Sequence, residues 1–183
     1  MWSVSYAQLL IIVTILIEAL VCYKANYERV EQVFGQEYAE IDLRVRKFNR
    51  TTTVMNGTMY IRQPLDDNMV FSSDVFHSRL GNQQFQHYPM RLPTSGYCQF
   101  IENLHKEYKA VVEDMVNIPN PGECPVTQRA IYIHDKVFPP GVLPESLAPG
   151  LWKIVITGAL VTKPENILFR MMVSVRLLDD LFI

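Results

Sequence analysis

"GYCQFIENLHKEYKAVVEDMVNIPNPGECP", Gly96 to Pro125, carries two of the chain's three cysteines, Cys98 and Cys124, one near each end. Between them Phe100, Leu104, Tyr108, Val111 and Met115 recur at helical spacing and share one face. Glu102 precedes Lys106 by about one turn in the favourable order, and Ser95 is the candidate N-cap. The proline-containing run Asn117 to Gly122 ends the helix. Cysteines that bracket such a segment form a metal clip, a catalytic thiol with a spare, or a disulfide. The compartment chooses among the three.

The N-terminal residues indicate that compartment. Leu9 to Ile17 reads LLIIVTILI, apolar except for Thr14, and Glu18 then interrupts it. A bilayer-spanning helix takes about 20 apolar residues, so the stretch is too short to span and fits the core of a signal peptide. Residues 1–22 are read as that leader, with cleavage after Cys22 or Ala25, and residues 23–183 as a single secreted domain. No later run approaches bilayer length, so no stable membrane span is expected. The chain holds 17 basic and 19 acidic side chains, and of these the leader carries only Glu18. So even a balance argues against nucleic acid as a partner.

With Cys22 leaving in the leader, two cysteines remain in an oxidising, extracellular setting, where a pair closes a disulfide. A zinc site wants four ligands, and the nearest histidines, His105 and His134, stand alone. A catalytic thiol would be oxidised there. The expectation is a Cys98–Cys124 bridge and no metal. Two sequons, Asn49-Arg50-Thr51 and Asn56-Gly57-Thr58, fit the same compartment and mark Asn49 and Asn56 as glycan acceptors facing solvent.

The rest of the chain reads as strands. In EIDLRVRKF (Glu40 to Phe48), Ile41, Leu43 and Val45 alternate with Asp42, Arg44 and Arg46. TTTVMNGTMYI (Thr51 to Ile61) is rich in β-branched and aromatic residues. It either turns at Asn56-Gly57 or runs through, with the turn at Asn49-Arg50. MVFSSDVFHSRL (Met69 to Leu80), AIYIHDKVF (Ala130 to Phe138), LWKIVITGALV (Leu151 to Val161) and NILFRMMVSVRLLD (Asn166 to Asp179) follow. Six or seven strands and one strong helix predict a mainly β protein: a two-sheet β-sandwich with one amphipathic helix tied down by the disulfide.

No G-x-S-x-G, H-E-x-x-H, G-x-G-x-x-G or P-loop occurs, and His77, His87, His105 and His134 are dispersed. Asp66-Asp67 and Asp179-Asp180 fall where solvated charge is the ordinary role. No catalytic residue and no cofactor are assigned.

"FNRTTTVMNGTMYI", "SRLGNQQFQHYPMRLPTSGYCQFI", "ECPVTQRAIYIHDKVF" and "LPESLAPGLWKIVI" occur in this order over Arg44 to Val175. Together they resemble an insect family of small secreted proteins of unknown function that includes the CheA-type contact-chemosensory proteins. That family is similar to the ML lipid-recognition proteins, whose immunoglobulin-like β-sandwich opens between its sheets to hold an apolar ligand. On this resemblance Cys98 and Cys124 match the family's paired cysteines, and Trp152 its tryptophan early in a late strand.

The resemblance implies a secreted, non-enzymatic binder of a lipid, hydrocarbon or pheromone-like molecule, with an extracellular receptor as partner. The chain's eight methionines, nine phenylalanines and nine tyrosines suit such a role, since methionine adapts to different shapes. Facing direction selects Trp152, Ile154, Ile156, Phe169, Met171 and Val173 as the lining of a pocket between the sheets. Phe100, Leu104 and Tyr108 would form its lid. The competing expectation is a glycosylated interaction module with a filled core.

Overall fold

The two alternating stretches at the end of the chain pair with each other. In the computed structural model, which describes residues 23–179 apart from 145, they form β9 (Gly150–Leu160) and β10 (Lys163–Asp179). The expected leader, residues 1–22, lies outside the described residues. Ile154 stands opposite Val173 and Ile156 opposite Met171, so the apolar halves of both strands share one face.

Around this pair the chain builds two antiparallel sheets. The first runs β1 (Tyr23–Phe34), β10, β9, β4 (Met69–Ser78), with the short β5 (Gln86–Tyr88) and β6 (Ser95–Gly96) both on the outer edge of β4. The second runs β2 (Ala39–Lys47), β3 (Thr53–Ile61), β8 (Arg129–Val137), β7 (Met115–Val116). Between β6 and β7 lie the helices α1 (Tyr97–Glu107) and α2 (Lys109–Val112). The fold is mainly β, a two-sheet sandwich with its helix tied by a disulfide, as the alternation predicts.

Side chains from both sheets meet in packed clusters. One joins Met69, Phe71, Phe169 and Met171 to Ile61 and Ile131 of the opposite sheet. A second joins Tyr27 and Val175 to Leu43, Met55 and Ile133. The third packs Leu147, from the proline-rich connection after β8, onto Val75, Trp152 and Leu177. There the loop covers the inner face of the first sheet. Full burial of each such side chain is worth about 1.5–3 kcal/mol.

The two flanks are closed differently. On one, β6–α1–α2–β7 carries the chain from the first sheet to the second. The Cys98–Cys124 disulfide, with Cα atoms 5.8 Å apart, ties the start of α1 to the loop before β8. That loop also bridges Val126 to Leu65. Asp67 completes the joint: its Oδ1 accepts from Cys98 N–H at 2.9 Å and Gln99 N–H at 3.3 Å, capping α1 from a distant part of the chain. A Cβ on Gly96 would collide with that carboxylate, so only glycine fits. On the other flank β1 faces β2 without a helix. The Gln32 carboxamide donates to Ala39 O at 2.6 Å and accepts from Ile41 N–H at 2.8 Å. Asn26 likewise donates to Thr51 O at 3.0 Å and accepts from Thr53 N–H.

Several local expectations change. The helix breaks at Tyr108, whose φ of −123° and ψ of 39° leave the helical region. Met115 therefore reaches the core from β7 and not from a helix face. The N-cap is Gly96, served by Asp67, and not Ser95. β3 runs straight through Asn56-Gly57, and the chain turns where Phe48 N–H and Asn49 N–H donate to Thr52 O. β1 has no counterpart among the expected strands.

Candidate functional site

The inner face of the first sheet is a grid of cross-strand rows. Tyr27, Val175, Trp152 and His77 form one; Val30, Val173, Ile154 and Val75 the next; Gln32, Met171, Ile156 and Ser73 a third. Phe169, Gly158 and Phe71 complete it. All six expected lining residues thus stand on this one face. They stand there as packed side chains: Phe169 and Met171 within the first cluster, Ile156 and Val173 against it, Trp152 within the third with Ile154 against it. Trp152 is held firmly, its indole N–H donating to Ala148 O at 2.9 Å and its ring between His77 at 4.2 Å and Tyr88 at 4.9 Å.

Of the three expected lid residues, Phe100 stacks on Phe71 with ring centroids 6.0 Å apart. Leu104 and Tyr108 are half-buried, at the last turn and C-cap of α1. The residues that α1 buries are Cys98 and Ile101.

The facing sheet has a different grain. Ile41, Met59 and Ile131 form one row, Leu43, Gly57, Ile133 and Met115 the next, Val45, Met55 and Lys136 the last. Gly57 has φ 137°, and a Cβ there would strike the backbone of Asp42. β3 and β2 approach so closely that mid-sandwich the inner face of β3 carries no side chain, between Met55 and Met59. Five of the chain's eight methionines, Met55, Met59, Met69, Met115 and Met171, belong to or pack against the first two clusters. Methionine side chains adapt their packing more readily than branched ones.

A β-bulge interrupts β8. The register passes from Gly57–Ile133 to Met55–Lys136, so His134 and Asp135 together oppose Asn56. Asp135 takes φ 45° and accepts from Arg46 at 2.6 Å and from Asn56 Nδ2 at 2.5 Å. The Arg46 guanidinium, with Asn56 beside it, holds the Asp135 carboxyl below its usual range. Lys136, one residue on, is buried, its Nζ donating to Asp114 Oδ2 at 3.2 Å. Sequence reasoning passed over Lys136 and read Asp67 as solvated charge, whereas its carboxylate caps α1. Bulges and caps supplied from afar leave no periodic signal.

The other chemical groups have identifiable partners. Asp67, Cys98 and Cys124 lie close together, but the two sulfurs bond each other and leave one carboxylate as a donor. His77 and His105 donate to the carbonyls of Pro149 and Pro119, His87 sits 3.4 Å from Asp74, and His134 stacks on Tyr132. An open cleft of about 370 Å³ is lined by Tyr60, Ile61, Arg62, Gln128 and Arg129. Arg62 pairs with Glu40 and Arg129 with Glu123, whose carboxyl is held below its usual range chiefly by that guanidinium. Both guanidinium groups of the cleft are thus paired with carboxylates. Of the sequon residues, Asn49 is exposed at the β2–β3 turn, whereas Asn56 is half-buried in β3 with its amide engaged by Asp135. Among the described residues no helix is long and apolar enough to cross a membrane.

Set against known proteins, the chain matches no family model and no curated protein.

Proposed function

We propose that this chain is a secreted, non-enzymatic binding protein for a small apolar molecule, a lipid or hydrocarbon carried or presented to an extracellular receptor. The observation that carries this function is the methionine content of the interior: Met55, Met59, Met69, Met115 and Met171, from both sheets, belong to or pack against its two inter-sheet clusters. Methionine side chains re-pack around guests of different shape at small cost. The disulfide and the near-neutral charge fit an extracellular binder and not a nucleic-acid partner. The resemblance to insect chemosensory proteins points to a pheromone-like cue as the ligand.

Chain secreted from eukaryotic cells, extracted with organic solvent and analysed by mass spectrometry, is expected to release a co-purified lipid or hydrocarbon. The same preparation should bind a fluorescent fatty-acid probe at micromolar concentration. Absence of both overturns the proposal and favours a second function, a glycosylated interaction module working through its surface. Two observations support that alternative: the interior clusters are closely packed, and the 370 Å³ cleft lies open to solvent.

A further inference from the structure

The bulge in β8 decides which charged residue enters the interior. Strict alternation from Ile131 and Ile133 would turn Asp135 inward and Lys136 out to water. The extra residue reverses this: Asp135 turns outward to Arg46 and Asn56, and Lys136 takes the inward position opposite Met55. Lys136 thereby becomes the one charged side chain among the buried residues of the described chain. Bulges often re-aim a side chain beside a functional site.

Lys136 is also incompletely matched. An ammonium offers three donors, and among the described residues a single side chain, that of Asp114, accepts from it. The Asp114 side chain is 70% exposed while that of Lys136 is 2% exposed. The carboxylate can therefore swing into water, and the ammonium cannot follow. Met55, the cross-strand neighbour of Lys136, belongs to the cluster against which Met59 and Met115 also pack. A buried cation with spare donors, one exchangeable carboxylate and deformable apolar neighbours complements one kind of molecule.

We propose that Lys136 anchors the carboxylate head of a long-chain amphiphile whose alkyl chain lies among Met55, Met59 and Met115. This rests on the apolar-ligand function proposed above and specifies its chemical class. The incoming carboxylate takes the place of Asp114, so one negative charge still faces the ammonium. A phosphate dianion would bring more charge than a single lysine can match.

Titration calorimetry of the full secreted chain with dodecanoate and with dodecanol separates head from tail. Dodecanoate is expected to bind about tenfold or more tighter, the size of a hydrogen bond to a charged group. Lys136→Met, an apolar replacement of similar length, should bind dodecanoate no tighter than dodecanol. Asp114→Asn, which removes the competing carboxylate, should tighten dodecanoate binding severalfold. A purely structural ion pair predicts weaker or unchanged binding in that second variant, and this result overturns the anchor even where Lys136→Met does not fold. Equal affinity of the native protein for both compounds overturns the anchor and leaves the apolar-ligand function standing. Binding of neither overturns both.

Discussion

At Gly96 the first helix begins against the Asp67 carboxylate, with no room for a Cβ between them. Asp67→Ala removes the acceptor for two helix N–H groups and is expected to lower stability by about 1 kcal/mol, read as a lower denaturant midpoint. Gly96→Ala should be at least as damaging, because it displaces the cap. A third residue governs behaviour in alkali. Burial pushes the Tyr27 phenol up to about 12, and Tyr97 is raised for the same reason against the opposing charge of Arg129. The folded state favours the neutral phenol, so this contribution is whole below pH about 10 and is lost as pH rises towards 12. For Tyr27 the loss amounts to roughly 2–3 kcal/mol. Melting temperatures measured across that window should fall, and fall less steeply in Tyr27→Phe.

Among the elements, β9 and β10 were legible because nothing interrupts their alternation from Trp152 to Ile156 and from Phe169 to Leu177. β1 was not. Register shifts between Tyr27 and Arg29 and between Gln32 and Phe34 break its two-residue period, and its third inner row is filled by the polar Gln32. The helical series failed at Met115 for a related reason: spacing measures distance along a chain, and the chain had already left the helix. Alternation put the six expected lining residues together on one inner face, where they pack as core, while Lys136 was hidden by a bulge that alternation cannot express. Two outcomes belong at this scale. The Cys98–Cys124 bridge spans a sequence separation of 26, which in the chain-entropy model is worth roughly 3.5 kcal/mol. Cys98→Ser with Cys124→Ser should therefore melt far lower, as read by a thermal scan. Cleavage after Cys22 keeps every described residue of β1, whereas cleavage after Ala25 removes three residues paired to β10. On the secretion proposed above, mass spectrometry of the released chain is expected to find Tyr23 first.

Over the whole molecule the two flanks differ in kind. At β6–β7 a helix and a disulfide join the sheets, while at β1–β2 the chain crosses in the short turn between Phe34 and Ala39 and the Gln32 and Asn26 carboxamides hold the two strands together. Gln32→Leu leaves a backbone N–H and a carbonyl of β2 without partners, at a cost of about 1–3 kcal/mol. Hydrogen exchange should then quicken along β2 while the amides around Cys98 keep their protection. Such a body has a spine on one side and a clasp on the other. When the clasp springs, the layers loosen along their strands without parting, because the short turn at its end and the spine opposite both keep the order of the pages.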